Sequence, residues 1–429
     1  MIIRISSLIE SLAETVDLVS SEVNNHHRRV ACIASYLGDA CGLHGNRYEN
    51  LILAAALHDI GGLRTHDRLD LLSFDENSGT HAEYGYMLLK RFRPFAHIAP
   101  MIRYHHTFWN WGKQKGAEGE EIPLESQIIF LADRVSVLMK PDFSLYYVEE
   151  IRERIKMSSG KMFMPALVDV FEGVSKVESF WLDARDAFSK PLFESALARN
   201  LHLEEDDLMS LGKLYSQIID FRSSFTASHS SGVSVVAEML AGHCGFSRQE
   251  RVMMWLAGYL HDIGKLIVPE GILEKPAALS KAEFDKIRCH TYYTNRLLLG
   301  IQEFDTIRAW AAMHHERLDG KGYPFHLSGD KLPLGARIMA VADVFVAVME
   351  DRPYRMGMEI SKALELVSGM ARSGALDEYV VEHLVQHVSE IDRHRKEEQQ
   401  RARQEYSRFY SATPLNGSGQ VQVDAIESA

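Results

Sequence analysis

The sequence predicts an all-α chain made of two related helical domains in tandem, and three observations predict it. Apolar residues recur at helical intervals along most of the chain. Strand-like alternation does not recur at the spacing of a sandwich or a βαβ unit. Above all, one constellation of histidines and aspartates occurs twice in the same order. The first copy reads His26, His58-Asp59, His81, His105-His106, Asp133, and the second reads His229, His261-Asp262, His290, His314-His315, Asp343. The first interval is 32 residues in both copies (58−26 and 261−229), and the step from the third histidine to the His-His pair is 24 in both (105−81 and 314−290). The other two intervals are 23 against 29 and 28 against 29. Ten of the chain's 20 histidines occupy these positions, which chance placement explains poorly. Such a repeat sets the architecture before any local element is read.

The opening segment places Ile9, Leu12, Val16, Val19 and Val23 at steps of three and four, the apolar face of a first helix. The runs before the two His-Asp pairs, LILAAAL (51–57) and MMWLAGYL (253–260), are apolar nearly all round, as buried helices are. Gln127–Met139 and Arg337–Met349 read as matching helices, each with its aspartate near the middle. The repeats themselves cover about residues 20–180 and 215–395. They are assigned to domains at 1–200 and 208–395, followed by a charged tail at 396–429. Ser189-Lys190-Pro191 and the acidic run Glu204–Asp207 read as a break between them, with a new helix near Leu208. The charged stretch from about Glu390 is expected to start helical and end disordered.

Composition narrows the function. With 429 residues, 46% hydrophobic and 25% charged, the chain has the balance of a soluble globular protein with two or three domains. A net charge of −12 argues against a general nucleic-acid or anionic-membrane surface, so an anionic ligand needs a local basic pocket. Cys32, Cys41, Cys244 and Cys289 form no CxxC pair, which suits a reducing compartment. No apolar run reaches the ~20 residues of a membrane helix. The expected location is the cytoplasm.

The second constellation carries most of the chemistry. Imidazoles and carboxylates without thiolates suit Fe, Mn, Ni or Zn and disfavour a structural zinc knuckle. Asp262 directly follows His261, so its carboxylate can bridge two ions that neutralise a phosphodiester's non-bridging oxygens. Lys265, four residues after His261, places an ammonium where it can meet the scissile phosphate or the leaving oxygen. The turn at Gly320–Pro324 puts glycine where positive φ is needed, beside a Tyr-Pro wall.

The strings HDIGK (261–265), HHERLDGKGYP (314–324), VADVF (341–345) and DRPYR (351–355) resemble the bacterial HD-GYP phosphodiesterases over about residues 215–395. The resemblance implies an all-α bundle and a cyclic-dinucleotide substrate. It implies one metal on His229, His261 and Asp343, a second on His290, His314 and His315, and Asp262 between them. Two divalent ions are expected, Fe or Mn first, with Ni or Zn as alternatives. Phe225 stands where some members carry a glutamate for a third metal. Arg317, Gly322, Tyr323 and Pro324 are implied as substrate contacts, and Arg352 and Arg355 as phosphate grips. Asp262 and Lys265 are the implied catalytic pair. Thr291, Thr294 and Val346 depart from the family's frequent Pro, Gly and Asp, which bears on pocket shape. Glu316 reads as a supporting carboxylate, and His243, His326 and His383 read as ordinary surface or packing residues.

The first copy keeps every ligand type in His26, His58, Asp59, His81, His105, His106 and Asp133 but lacks the rest. Gly62 replaces the lysine, TFWNWGKQKG follows His105-His106, and no RPYR follows Asp133. It resembles a generic HD domain, open to three readings: metal-binding regulator, second hydrolase or structural relic. Phe108, Trp109 and Trp111 either stack a base or pack. The expected reaction is hydrolysis of cyclic di-GMP to pGpG and onward to GMP. The alternatives are 3′,3′-cyclic GMP-AMP hydrolysis, a non-catalytic cyclic-dinucleotide sensor, or a nucleotide phosphohydrolase. No nucleic-acid polymer and no membrane is expected as partner, and homodimerisation is left open.

Overall fold

A strand opens the chain where periodicity announces only helix. In the computed structural model, β1 (Ile2–Arg4) pairs antiparallel with β2 (Asn200–His202), Ile3 opposite Leu201. The described residues are 1–18, 25–62, 74, 79–116, 119–140, 143–186, 189–220, 228–275, 277–351 and 356–411. Apart from this ribbon and one bridge between Ser159 and Phe163, they are helix, turn or loop. The all-α class holds. The ribbon escapes the sequence because three residues are too few to show alternation.

The first copy contains α1 (Ile5–Asp17), α2 (His26–Ala40), α3 (Asn46–Leu57), α4 (Thr80–Lys90), α5 (Ala99–Arg103) and α6 (Leu124–Leu138). Then come α7 (Val148–Met157), α8 (Pro165–Val174), α9 (Glu178–Arg185) and α10 (Ser189–Ala196). The second copy begins with α11 (Glu205–Asp220), α12 (His229–His243), α13 (Arg248–Leu260) and α14 (Glu270–Leu273). It continues with α15 (Lys281–Leu298), α16 (Asp305–Ala312), α17 (Leu334–Met349), α18 (Ile360–Arg372) and α19 (Glu378–Ser411). Capping boxes Ser247/Glu250 and Ser280/Glu283 fix the starts of α13 and α15. The two apolar runs are buried as predicted, Leu51–Leu57 within α3 and Met254–Leu260 within α13. A buried Leu or Ile side chain contributes roughly 1.5–3 kcal/mol, so these helices anchor the core that positions the ligands.

Both stretches that read as a break between the copies lie at helix starts, with β2 between those helices. Ser189-Lys190-Pro191 forms the first turn of α10, where proline costs nothing, and Glu205, Asp206 and Asp207 form the first turn of α11. Acids favour a helix N-terminus because its unpaired amides carry partial positive charge. The opening helix ends at Asp17; Val19 and Val23 lie outside the described residues.

The two copies are packed together. Among the described residues, α1 touches α3 of its own copy and α15 of the other. Ser11 Oγ lies 3.0 Å from Tyr215 Oη, Arg296 Nε pairs with Glu14 at 3.1 Å, and Arg93 grips Asp207 at 2.6 Å. Helix α19 crosses the boundary drawn at residue 395 and runs on to Ser411, packing along α12 and α17. Its buried face includes Ile391, Asp392, Arg395, Gln399 and Phe409. Those polar members pair with one another, so an apolar pattern could not reveal the face. Phe409 is 2% exposed and stacks on Tyr84 of α4 at 5.5 Å, with the Arg91 guanidinium 5.4 Å from its ring. Residues 412–429 lie outside the described residues.

Candidate metal centres

Both constellations close into cages through equivalent helices. His26 and His229 begin α2 and α12; His58 and His261 cap the ends of α3 and α13. His81 and His290 lie on α4 and α15, the His-His pairs follow α5 and α16, and Asp133 and Asp343 lie within α6 and α17. The 24-residue step is kept because the same helix pair carries it. The 23-against-29 step differs where α15 begins nine residues before His290 (290−281) and α4 one residue before His81 (81−80).

A glycine seats each His-Asp pair. A Cβ on Gly264 would lie 1.9 Å from the His290 carbonyl oxygen, and one on Gly61 would lie 2.1 Å from that of His81. Only glycine lets the turn after the aspartate lie against the helix bearing the third histidine. Thr294 has a role at its departure from the family pattern. Its hydroxyl donates to His261 O at 2.9 Å and accepts from Gly264 N at 3.1 Å, tying that turn to α15.

In the C-terminal cage the two oxygens of Asp262 face different histidines. Oδ2 lies 3.2 Å from His261 Nε2 and 3.9 Å from His229 Nε2; Oδ1 lies 3.4 Å from His290 Nε2 and 4.0 Å from His314 Nε2. Asp343 Oδ1 lies 3.2 Å from His229 Nε2, and its Oδ2 lies 3.8 Å from His315 Nδ1. The donors fall into two groups, His229/His261/Asp343 and His290/His314/His315, each close enough to hold one cation. The N-terminal cage repeats this. Asp59 Oδ2 faces His58 at 3.3 Å and His26 at 3.8 Å, while Oδ1 faces His81 at 3.3 Å and His105 at 3.5 Å.

The donor chemistry fits divalent cations. His290 Nδ1 and His314 Nδ1 each lie 2.6 Å from a backbone carbonyl, of Ile287 and Ala311, and so carry the ring protons. Their Nε2 atoms face each other at 3.3 Å, lone pair to lone pair. A shared cation relieves that contact. Burial pushes His290 down to about 3 and holds His314 well below its ordinary value, so both rings are neutral, the state that binds metal. His261 Nε2 is buried with no hydrogen-bond partner. Burial alone would raise the carboxyls of Asp262 and Asp343, but the surrounding imidazoles hold both well below the usual range, with Lys265 adding to this at Asp262. In the N-terminal cage burial lowers His105 to about 4, whereas Asp59 and Asp133 outweigh burial at His58 and lift it to about 9.

The surroundings differ sharply. The His315 side chain is 30% exposed and that of Asp343 11%. Tyr323 lies against His315 with centroids 4.9 Å apart, and the Arg288 guanidinium sits 4.9 Å from the Tyr323 ring. The loop holding Tyr323 is pinned by Glu316, whose carboxylate accepts from Phe325 N at 2.6 Å and Leu327 N at 3.0 Å. Gly320 has φ +72°, as expected, but Gly322 serves a different purpose: a Cβ there would lie 2.4 Å from Glu316 Cα. At the N-terminal cage the equivalent side chains, His106 and Asp133, are 3% and 2% exposed. Phe130 packs on His106 at 5.6 Å, and the buried Arg134 takes Asp133 Oδ2 at 2.6 Å. Ala340 and Val344 hold those places in the second copy.

Lys265 Nζ lies 2.5 Å from Asp262 Oδ2, on the shared carboxylate itself. Arg317 is engaged by Asp319 at 3.0 and 2.7 Å, at the cage's outer loop. Arg352, Arg355 and Phe225 lie outside the described residues. Phe108 stacks on Phe130 at 5.7 Å and Trp109 N donates to Met162 O, a packing arrangement; the Trp111 side chain is outside the described set.

Sequence reasoning missed a relay behind His229. Its Nδ1 lies 2.9 Å from Glu350 Oε2, and Gln399 Nε2 donates to Glu350 Oε1 at 2.5 Å and to Ser228 O at 3.2 Å. Arg395 donates to Gln399 at 2.6 Å and to Asp392 at 2.6 Å. Glu350 follows Asp343 by seven residues, two turns along one helix face, which is the one sequence signal for it. Gln399, on a distant helix, gives none. In the first copy His26 Nδ1 instead meets Ser136 Oγ at 3.0 Å.

Comparison with known proteins agrees with this duplication. HD-domain family models match residues 213–380 and 23–138. The 3′3′-cGAMP-specific phosphodiesterase 1 of Vibrio cholerae is 30% identical over 392 residues, 87% of this chain and 89% of that relative. Phosphodiesterase 3 of the same specificity and organism is 36% identical over 273 residues, 63% of this chain and 58% of its own length. The cyclic di-GMP phosphodiesterase response regulator RpfG of Xanthomonas campestris is 37% identical over 175 residues, 40% of this chain and 46% of that relative. The crystal structure of the cyclic GMP-AMP specific phosphodiesterase V-cGAP3 of V. cholerae superposes with a TM-score of 0.64 at 25% identity, covering 91% of this chain and 98% of that one.

Proposed function

The chain belongs to the HD-GYP family of cyclic-dinucleotide phosphodiesterases, and from that premise we propose that its C-terminal cage hydrolyses 3′3′-cyclic GMP-AMP in preference to cyclic di-GMP. The observation that carries the location is the asymmetry of access. Both cages hold the donors, but only the C-terminal one opens, at His315 and Asp343, onto the loop of Tyr323. The substrate preference reverses the order that the sequence motifs suggested. It is supported by the relative specific for 3′3′-cGAMP, which matches through both copies, whereas the cyclic di-GMP relative RpfG matches 40% of the chain.

His229, His261 and Asp343 would hold one divalent ion and His290, His314 and His315 the other, with one oxygen of Asp262 turned to each group. Such ions supply Lewis acidity at the phosphate and a lowered pKa for attacking water. Lys265 orients and neutralises Asp262 from the cage edge, where its ammonium is also available to a non-bridging phosphate oxygen. Glu350 holds His229 by Nδ1 and leaves Nε2 turned into the cage, where it would be free to bind an ion, as a carboxylate behind a metal-bound imidazole does. Tyr323, backed by Arg288, offers a base a face to stack on, and Glu316 keeps that loop in place. The N-terminal cage is read as a metal-binding, non-catalytic site.

The test is product analysis of manganese- or iron-loaded protein offered the two cyclic dinucleotides in parallel. The expected result is a linear dinucleotide, formed faster from 3′3′-cGAMP and lost in His314→Ala and Asp262→Ala. Faster cleavage of cyclic di-GMP would overturn the preference, and no product with verified metal content would overturn the activity.

A further inference from the structure

His243 is the last residue of α12, 14 residues beyond His229 (243−229), or about 21 Å along the helix. It lies outside both cages. Against it packs α19, bearing His387 and, three residues on, Glu390. The rings of His243 and His387 lie face to face, centroids 3.7 Å apart and planes 5° apart. A donor atom from each, with a Glu390 oxygen, falls within a 4.8 Å span. His383, one turn earlier on α19, is nearly parallel to both rings at 6.5 and 6.4 Å, and its buried Nδ1 has no hydrogen-bond partner.

We propose that His243, His387 and Glu390 form a third divalent-cation site, separate from the two cages, with His383 beside it, and that its ion is zinc or nickel. Face-to-face stacking is the less favoured arrangement for aromatic rings, and a charge on either imidazole would add repulsion. Ring planes 5° apart hold the two lone pairs parallel rather than convergent, so binding would turn one imidazole until a nitrogen of each meets a common cation within the 4.8 Å span of the three donors. Burial, with His387 beside it, holds His243 below its ordinary pKa, so its ring is neutral and free to donate near neutral pH. The neighbouring Arg251 is already engaged by Glu238. Cys244 is not a competing ligand, because burial pushes its thiol up to about 11. Imidazole plus one carboxylate selects zinc, nickel or copper over magnesium, calcium or manganese. The bound ion would staple α12 to α19, the two helices that carry His229 and Gln399.

The experiment equilibrates the full chain and three variants, His387→Ala, His243→Gln and Glu390→Gln, in buffered free zinc and measures zinc per chain. All four proteins share the cages, so the difference counts the third site. The expected result is one zinc equivalent fewer in His387→Ala and His243→Gln, and roughly tenfold weaker binding of that equivalent in Glu390→Gln. Manganese-supported phosphodiesterase turnover, measured without zinc, should be unchanged in all three. Equal zinc content and equal affinity in all four would overturn the proposal. Should His243→Gln fail to fold, His387→Ala and the exposed Glu390→Gln still decide it.

Discussion

In the C-terminal cage the second histidine of the pair, His315, is partly open and meets Tyr323; in the N-terminal cage its counterpart, His106, is sealed and meets Phe130. In one, the metal aspartate keeps its outer oxygen for the site. In the other, Arg134 takes that oxygen. Behind the first histidine stands a buried carboxylate in one copy and a serine in the other. The donor sets are alike, so donors alone do not distinguish the two cages. Access, a lysine on the shared carboxylate and support behind the imidazole separate the two.

The largest expected effect breaks that symmetry directly. Asp262→Ala should reduce turnover by at least about a thousandfold. Asp59→Ala should leave turnover intact while lowering bound metal per chain. Comparable loss of kcat in both variants would make the two cages one catalytic unit.

The seal gives the next test. Phe130→Ala places in the N-terminal cage the residue that Ala340 already is in the other. It should cost about 3–5 kcal/mol, read as a lower Tm, and speed loss of metal from that cage to a chelator. Unchanged chelator kinetics would mean that Phe130 is packing and not a seal.

Supporting groups come third. Gln399→Leu should leave Glu350 without its amide partner and weaken metal binding in the C-terminal cage about tenfold, seen as a shifted manganese dependence of kcat. Ser136→Ala should move the N-terminal cage less, since a neutral hydroxyl polarises an imidazole less than a carboxylate does.

The smallest effect concerns the polar brace within α19. Burial would raise Asp392, but its bonds to Lys396 and Arg395 outweigh this and hold it below the usual carboxylate range. Its contribution, about 1 kcal/mol or less, is therefore present above pH ~4 and lost as pH falls through the depressed value. Unfolding of wild type and Asp392→Asn should differ near pH 7 and converge below pH 4.

What the sequence revealed follows physical rules. The 32- and 24-residue intervals survive duplication because equivalent helices carry them, so the residues that the structure gathers into the two cages are legible from spacing. The glycines at 61 and 264 were visible only as letters of a motif; their purpose needed the carbonyl they approach. Arg134, Glu350 and Gln399 were invisible because each acts across a tertiary contact between polar groups, which leaves no periodic trace. His387 was missed for the same reason: its partner, His243, is 144 residues away (387−243). The acidic run at 204–207 reads as a break and lies at the start of α11, because acids mark a helix start as readily as a linker.

The stacking of Phe409 on Tyr84 sets the order in which a newly made chain can finish. Tyr84 is synthesised 325 residues before Phe409 (409−84), a wait of about 16–65 s at ~5–20 residues per second. Through that interval the outer face of α4, which carries His81, has no cover from α19. A ribosome must make nearly the whole described chain before α4 receives this contact, so the first domain gains part of its packing only from the last described helix.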